Sequence, residues 1–411
     1  MLAIDHLNAD LLDQKRKETD PLADQAVSAI IEGGFERHIN DVFLKLTRNQ
    51  DYDPALFSDL PKEVQEIVDQ YFEATARLPE WADQSKIAVG QEVFSLYGPE
   101  VFMLLNLKSL PMCYTCAKGA KVLYDTGRLM EHGGKIDPLV RRLMETAQMV
   151  VDVLQPDGLK PKGKGIVTMQ KVRLIHASIR YFIKNERFNP KGWDVSEFGE
   201  PINQEDLAGT LMSFSPIILS GLKQLGIKLS QEQIDGYSHC WKVIGYQMGI
   251  SDDLLSDNYE DNWVLGCKIL EHQSAASEEG KALTDSCIAF IQYMIPGHLF
   301  QEVPEYLMWY LFQDVEKGCA KPLASMIGLK EHKTLQDEFA LTFSKILGEG
   351  FSIMQHSKII SSLASKINKL LLQGYIKHHN EGKNVRFFIP PSLHGSWGLV
   401  SETDTKNTFS A

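Results

Sequence analysis

The chain has 411 residues, 44% of them hydrophobic, which is enough apolar material to bury a large core in one big helical domain or two smaller ones. A net charge of −12 and a pI near 5.5 argue against a general nucleic-acid binder, which needs a basic face to meet phosphates. Six cysteines in this length do not make a disulfide scaffold, and an acidic composition of this kind reads most simply as cytoplasmic.

The first twenty residues carry charges within any apolar core and lack a signal-peptide layout or a twin-arginine start. Residues 1–50 read as a helical lead-in anchored by Ala26, Ile30, Phe35, Ile39 and Phe43, after which Pro54, Pro61 and Pro79 cut the chain into short helices. Apolar residues are dense from Ile87 to Leu110, with a turn expected at Gly98-Pro99. Another helix is expected from Ser109-Leu110-Pro111 through Tyr114, Ala117 and Leu123 to Gly127. Cys113 and Cys116 form a C-x-x-C, but a zinc site needs a second ligand pair and none follows; Cys240, Cys267, Cys287 and Cys319 read as small buried residues.

Two helical patterns joined by a Pro/Gly/Lys loop follow, from Asp137 to Asn185. Asp137 at an N-cap and Pro138 behind it start the first, in which Leu139, Leu143, Ala147, Val150 and Leu154 form an apolar stripe with Arg142, Glu145 and Thr146 beside it. Five breakers, Pro156, Gly158, Pro161, Gly163 and Gly165, end it and predict an antiparallel hairpin. In the second helix the stripe is Met169, Val172, Ile179 and Ile183, and His176 stands where another apolar residue is due. At about 1.5 Å per residue, Thr146 and His176 both lie roughly 12–15 Å from the loop. His176 is then either a core histidine bonded to a carbonyl or an axial ligand, since neutral imidazole on a rigid helix is a common way to hold haem iron.

Polar residues Asn189 to Glu197 make a loop around Trp193; Asn203 with Asp206 caps the next helix, and Ser230 with Gln233 forms a capping box for the one carrying Tyr237, Trp241, Ile244 and Met248. The longest uncharged run, Leu207 to Leu222, is too short and too polar to span a bilayer. Near the C-terminus an amphipathic helix with Lys358, Lys366, Lys369 and Lys377 reads as a last core helix or a membrane-surface helix, and the residues from Ser401 as a flexible tail. With no repeat, no low-complexity linker and almost no β-type alternation, the expected fold is all-α, a single large helical domain.

The pattern Arg142-x-x-Glu145-Thr146, followed by His176 in VRLIHASIR, resembles the catalytic domain of the latex-clearing protein (rubber oxygenase) and MpaB-type oxygenase family. The likeness continues through LPEWAD from Leu78, YTCAKGAKVLYDTGRL from Tyr114, PINQEDLAGTLMSFS from Pro201 and HCWKVIGYQMGI from His239, ending near Leu329. It implies a buried haem pocket, with His176 ligating haem b and Arg142 and Thr146 on the opposite side of the iron as partners of bound oxygen. Glu145 stands where the latex-clearing proteins place a lysine, and their catalytic glutamate has no counterpart here; Glu145 becomes a proton carrier only if burial raises its pKa. The reading without a signal peptide or membrane span differs from what the family's secreted and membrane-anchored members would lead one to expect.

The resemblance implies dioxygen and an apolar, unsaturated lipid or isoprenoid as substrates. It divides the chain into a lead-in (1–77), an oxygenase-like core (78–330), C-terminal helices (331–400) and the tail (401–411). Two other readings stand beside it. One is a non-catalytic haem or lipid carrier on the same fold. The other is a magnesium-dependent isoprenoid synthase, in which Asp252, Asp253 and Asp257 hold the cation; the same aspartates also suit an ordinary helix start.

Overall fold

The structure is a computed structural model that describes residues 7–48, 51–126, 137–294 and 303–330. Among these the chain is all-α, the one extended feature being a single antiparallel bridge between Cys116 and Ser274. The C-terminal amphipathic helix and tail expected from the sequence lie outside the described residues. Helix starts follow local chemistry. Asn8 accepts from the Leu11 amide at 2.9 Å to open α1 (Ala9–Lys15), and Asp20 caps α2 (Pro21–Ile30), whose first residue is a proline. Gly34, at φ +86, kinks the chain inside the π-turn Ile31–Phe35, which leads into α3 (Glu36–Arg48).

The backbone forms two compact units, each built from several chain segments. The first unit comprises residues 1–94, 148–211 and 235–265. It contains α1 to α3, α4 (Lys62–Ala74) and the start of α5 (Gln84–Leu104). It also takes the end of α8 (Asp137–Leu154), all of α9 (Lys164–Lys184), the short α10 (Val195–Phe198), most of α11 (Gln204–Phe214) and most of α13 (Gln231–Gln247). One core gathers Val27, Ile30, Ile39, Val64 and Phe72 from α2 to α4 with Leu174 and Ala177 of α9. Of the expected anchors Ala26, Ile30 and Ile39 are buried, while Phe35 and Phe43 pack partly buried against them. Both expected caps are present: the Asp206 amide donates to Asn203 Oδ1 at 3.0 Å, and Ser230 and Gln233 exchange bonds of 3.0 and 3.2 Å.

The second unit comprises residues 95–147, 212–234 and 266 onward. It takes α6 (Leu110–Tyr114), α7 (Ala117–Asp125), α12 (Pro216–Gln224), most of α14 (Tyr259–Gln273), α15 (Glu278–Met294), α16 (Val303–Cys319) and α17 (Leu323–Met326). Two expectations are corrected here. Gly98-Pro99 does not end its helix: α5 continues through it with a kink at Tyr97 (φ −123, ψ 18), because a proline's missing donor breaks one hydrogen bond while the packed helix goes on. The helix expected from Ser109 to Gly127 is instead divided at Thr115-Cys116, where Thr115 accepts from the Ala275 amide at 3.0 Å and the Cys116–Ser274 bridge forms.

A third correction concerns the cysteines. Cys240 and Cys287 are buried thiols as expected, but Cys267 and Cys319 form a disulfide joining α14 to α16 across 52 residues. Closing a loop of that length constrains the unfolded chain, so the Cys267→Ser/Cys319→Ser variant is expected to lose about 2–4 kcal/mol of stability. Chemical denaturation of the oxidised and reduced protein measures this; identical midpoints exclude a stabilising bridge.

Candidate functional site

The loop between α8 and α9 turns tightly because it is glycine-rich where the backbone crowds. A Cβ on Gly158 would sit 2.2 Å from the Asp152 carbonyl oxygen, and one on Gly165 2.8 Å from the Val153 Cα. Across this turn Thr168 donates to Asp152 Oδ2 at 2.8 Å and Gln148 donates to Oδ1 at 2.8 Å, so the end of α8 and the start of α9 are tied as the expected hairpin. Burial raises the Asp152 pKa, and these two hydrogen bonds oppose the rise.

The expected stripe on α8 is buried at Leu143, Ala147, Val150 and Leu154. Thr146 is half-buried and Glu145 exposed, so Glu145 lacks the burial its role as a proton carrier requires. Arg142 lies on the same helix, its side chain outside the described residues. These three belong to the second unit and His176 to the first.

On α9 the deepest face differs from the expected one. Met169 and Ile183 are buried as read, but Val172, His176 and Ile179 are half-buried, and the face turned fully inward carries Gln170, Arg173, Leu174, Ala177 and Arg180. Apart from Arg180 Nη2, those polar groups are matched. Arg173 donates from Nε and Nη2 to both oxygens of Asp20 at 2.7 and 2.8 Å, and from Nη1 to the Gln247 carbonyl at 3.1 Å. Arg180 donates to Asp24 at 2.7 Å and to the Ile202 carbonyl at 3.2 Å. Gln170 donates to the Phe72 carbonyl and to Thr75, and its own carbonyl accepts from the Tyr71 hydroxyl at 2.8 Å. Sequence periodicity missed these arginines because it scores charged residues as outward; their one visible trace is that they bracket VRLIHASIR at both ends.

His176 thus sits at the border between this polar inward face and a half-buried apolar strip of Val172, Ile175 and Ile179. A second histidine offers a contrast. His239 of α13 is 2% exposed, and its Nε2 accepts the Asp83 amide proton at 2.9 Å, which places its own proton on Nδ1, 3.5 Å from Asp257. Burial pushes this imidazole below its ordinary pKa and Asp257 pushes back. With its basic nitrogen engaged by backbone, His239 is a core histidine.

The aspartates that suggested a cation site do not converge. Asp253 pairs with Lys15 at 2.8 Å, Asp257 with Lys242 at 3.4 Å, and Asp252 opens a 3₁₀ turn after Ser251. Among the described residues no group of three or more His, Cys, Asp or Glu is placed to hold a bare metal ion, and Cys113 and Cys116 are half-buried and outside any disulfide. A haem asks for less, one imidazole beside an apolar wall and donors for its carboxylates. On α9 the half-buried His176 stands in line with the half-buried Val172, Ile175 and Ile179, which fits the imidazole and the apolar part of that set.

Comparison with known proteins bears on the same segment. The family described as ER-bound oxygenase mpaB/B'/Rubber oxygenase, catalytic domain, matches residues 101–344. The rubber oxygenase of Streptomyces sp. (strain K30) is 26% identical over 280 residues, covering 68% of this chain; the chain spans 64% of that relative's length. The solved structure titled latex clearing protein LCP in the closed state shares the fold with a TM-score of 0.65 at 21% identity, covering 92% of this chain and 95% of that one. No helix among the described residues is long and apolar enough to cross a membrane. With well over half of its length matched, His176 and its helical hairpin included, the chain belongs to the mpaB/B' and rubber oxygenase catalytic-domain family.

Proposed function

We propose that the protein is a haem b-dependent oxygenase acting on an apolar, unsaturated lipid or isoprenoid-like substrate, with dioxygen as co-substrate. The observation that supports this most directly is His176: a half-buried imidazole beside an apolar strip, on a helix anchored on both sides, within a family catalytic domain. His176 would hold the iron, and haem bound there would supply the redox chemistry that lets dioxygen attack a carbon–carbon double bond. Val172, Ile175 and Ile179 would exclude water from that side of the ring. Arg142 and Thr146 are the proposed polar partners for bound oxygen, a role carried by the family resemblance alone.

The experiment is an absorption spectrum of the purified protein, oxidised and reduced, followed by oxygen uptake with squalene. A Soret band and squalene-dependent uptake are expected. A Soret band with no uptake from squalene or polyisoprene supports the carrier reading, and no Soret band after expression with ample haem ends the haem reading altogether. A cytoplasmic location is the simplest reading of the acidic composition, and the Cys267–Cys319 bridge is the observation against it. Non-reducing peptide maps of the protein from its own cells decide between them.

A further inference from the structure

The two aspartates of α2 stand one helical turn apart, at Asp20 and Asp24, and the two arginines they bind stand two turns apart on α9. His176 lies between those arginines, three residues after Arg173 and four before Arg180. Each arginine is a three-way junction, joining α9 to an α2 carboxylate and to a backbone carbonyl of a third segment, Gln247 for one and Ile202 for the other. All of these groups are in the first unit.

Stability alone does not explain buried pairs of this kind. Replacing a buried ion pair by apolar residues of similar size is often neutral or stabilising, and the best-attested use of such pairs is to fix register. The Asp20–Arg173 contact is bidentate, so it constrains angle as well as distance. An apolar contact of leucines in the same place would let α9 roll. With side chains reaching roughly 5–6 Å from the helix axis, a roll of about 20° displaces an imidazole by about 2 Å. A metal or cofactor site tolerates about 0.5 Å.

We infer that Asp20–Arg173 and Asp24–Arg180 are a two-point clamp that sets the rotation and register of α9, and thereby the position of His176. These four are positioning residues, none of them in contact with a reacting atom. The inference rests on the haem reading for its functional meaning, while the clamp itself is testable without it.

Two variants test it in the full-length protein, Asp20→Asn/Arg173→Met and Asp24→Asn/Arg180→Met. Each removes both charges of a pair and keeps most of its volume, and asparagine in place of Asp20 retains the helix cap. Both are expected to fold, with far-UV circular dichroism and melting close to wild type. The ferric haem is expected to show a mixed electron paramagnetic resonance signal in place of a single one, and transfer to apomyoglobin is expected to run about 10–100-fold faster, the usual cost of losing an outer support of a metal ligand. A merely structural pair would lower the melting temperature and leave the resonance of the folded holoprotein unchanged. Equal signals and equal transfer rates in wild type and both variants overturn the clamp. If a methionine variant fails to fold, Arg173→Lys and Arg180→Lys keep the charge, lose the fork and are held to the same readouts. If the wild type takes up no haem, the functional reading fails, and the clamp is decided by the rate at which diethyl pyrocarbonate modifies His176, read by mass spectrometry. A several-fold change in both variants sustains it; an unchanged rate overturns it.

Discussion

His176→Ala is expected to abolish the Soret band of the purified protein and with it oxygen uptake, haem retention falling by at least about 100-fold. The buried His239 is not placed to substitute for it at low cost. Its Nε2 already accepts the Asp83 amide proton at 2.9 Å. An iron ligand must offer a free ring lone pair, so His239 cannot take over without losing that backbone bond. The fold should survive, because His176 is half-buried and the anchoring of α9 runs through Arg173 and Arg180. Losing a half-buried side chain costs about 1 kcal/mol, far below the stability of a domain. Circular dichroism separates loss of haem from loss of fold, and added imidazole should restore part of the Soret band by entering the space the side chain leaves. A variant that keeps an unaltered Soret band removes His176 from the site.

The second large effect is expected at Lys108, in the π-turn Leu105–Ser109 of the second unit. Its ammonium is fully buried and donates to Ser220 at 2.8 Å, to Gln224 at 2.7 Å and to both oxygens of Asp314 at 3.0 and 2.9 Å. Lys108→Met strands three acceptors. The expected loss is about 3 kcal/mol, the low end for a broken buried pair, because Asp314 keeps some contact with water. Burial pushes the Lys108 pKa down to about 8, against the pull of Asp314, from the 10.5 of a free lysine. Between those values the unfolded chain binds the proton and the folded chain does not, so this group's contribution to stability rises with pH across that window and is level below it. The gap between wild type and Lys108→Met should therefore widen from pH 8 to 10.5, by at most about 1.4 kcal/mol per unit. Urea denaturation of both proteins at about pH 7 and about pH 9.5, on either side of the folded-state value, measures it. A gap that narrows would mean the folded amine holds its proton more tightly than the free one.

What could be read in advance were properties decided within a few residues. Asn203 with Asp206 and Ser230 with Gln233 cap their helices through bonds spanning three positions, so residue type and spacing suffice. The glycines of the α8–α9 loop are legible for the same reason, since each marks a place where its own neighbours leave no room for a side chain. Gly98-Pro99 marks the limit of local rules: proline weakens a helix, and packing decides whether the helix ends or bends.

The sequence by itself therefore determined the helical class, the hairpin that carries His176, and the order of motifs that places the chain in its family. Only the tertiary structure decided which face of α9 turns inward. Periodicity assigns the core to the apolar stripe, whereas the inward face belongs to Gln170, Arg173 and Arg180, whose partners come from α2, α4 and the segments ending at Gln247 and Ile202. The same holds for the bond between Cys267 and Cys319, 52 residues apart, and for Lys108 with Asp314, 206 apart. A buried charge or thiol is tolerated only when a distant partner arrives, and no local pattern records which distant segment that will be.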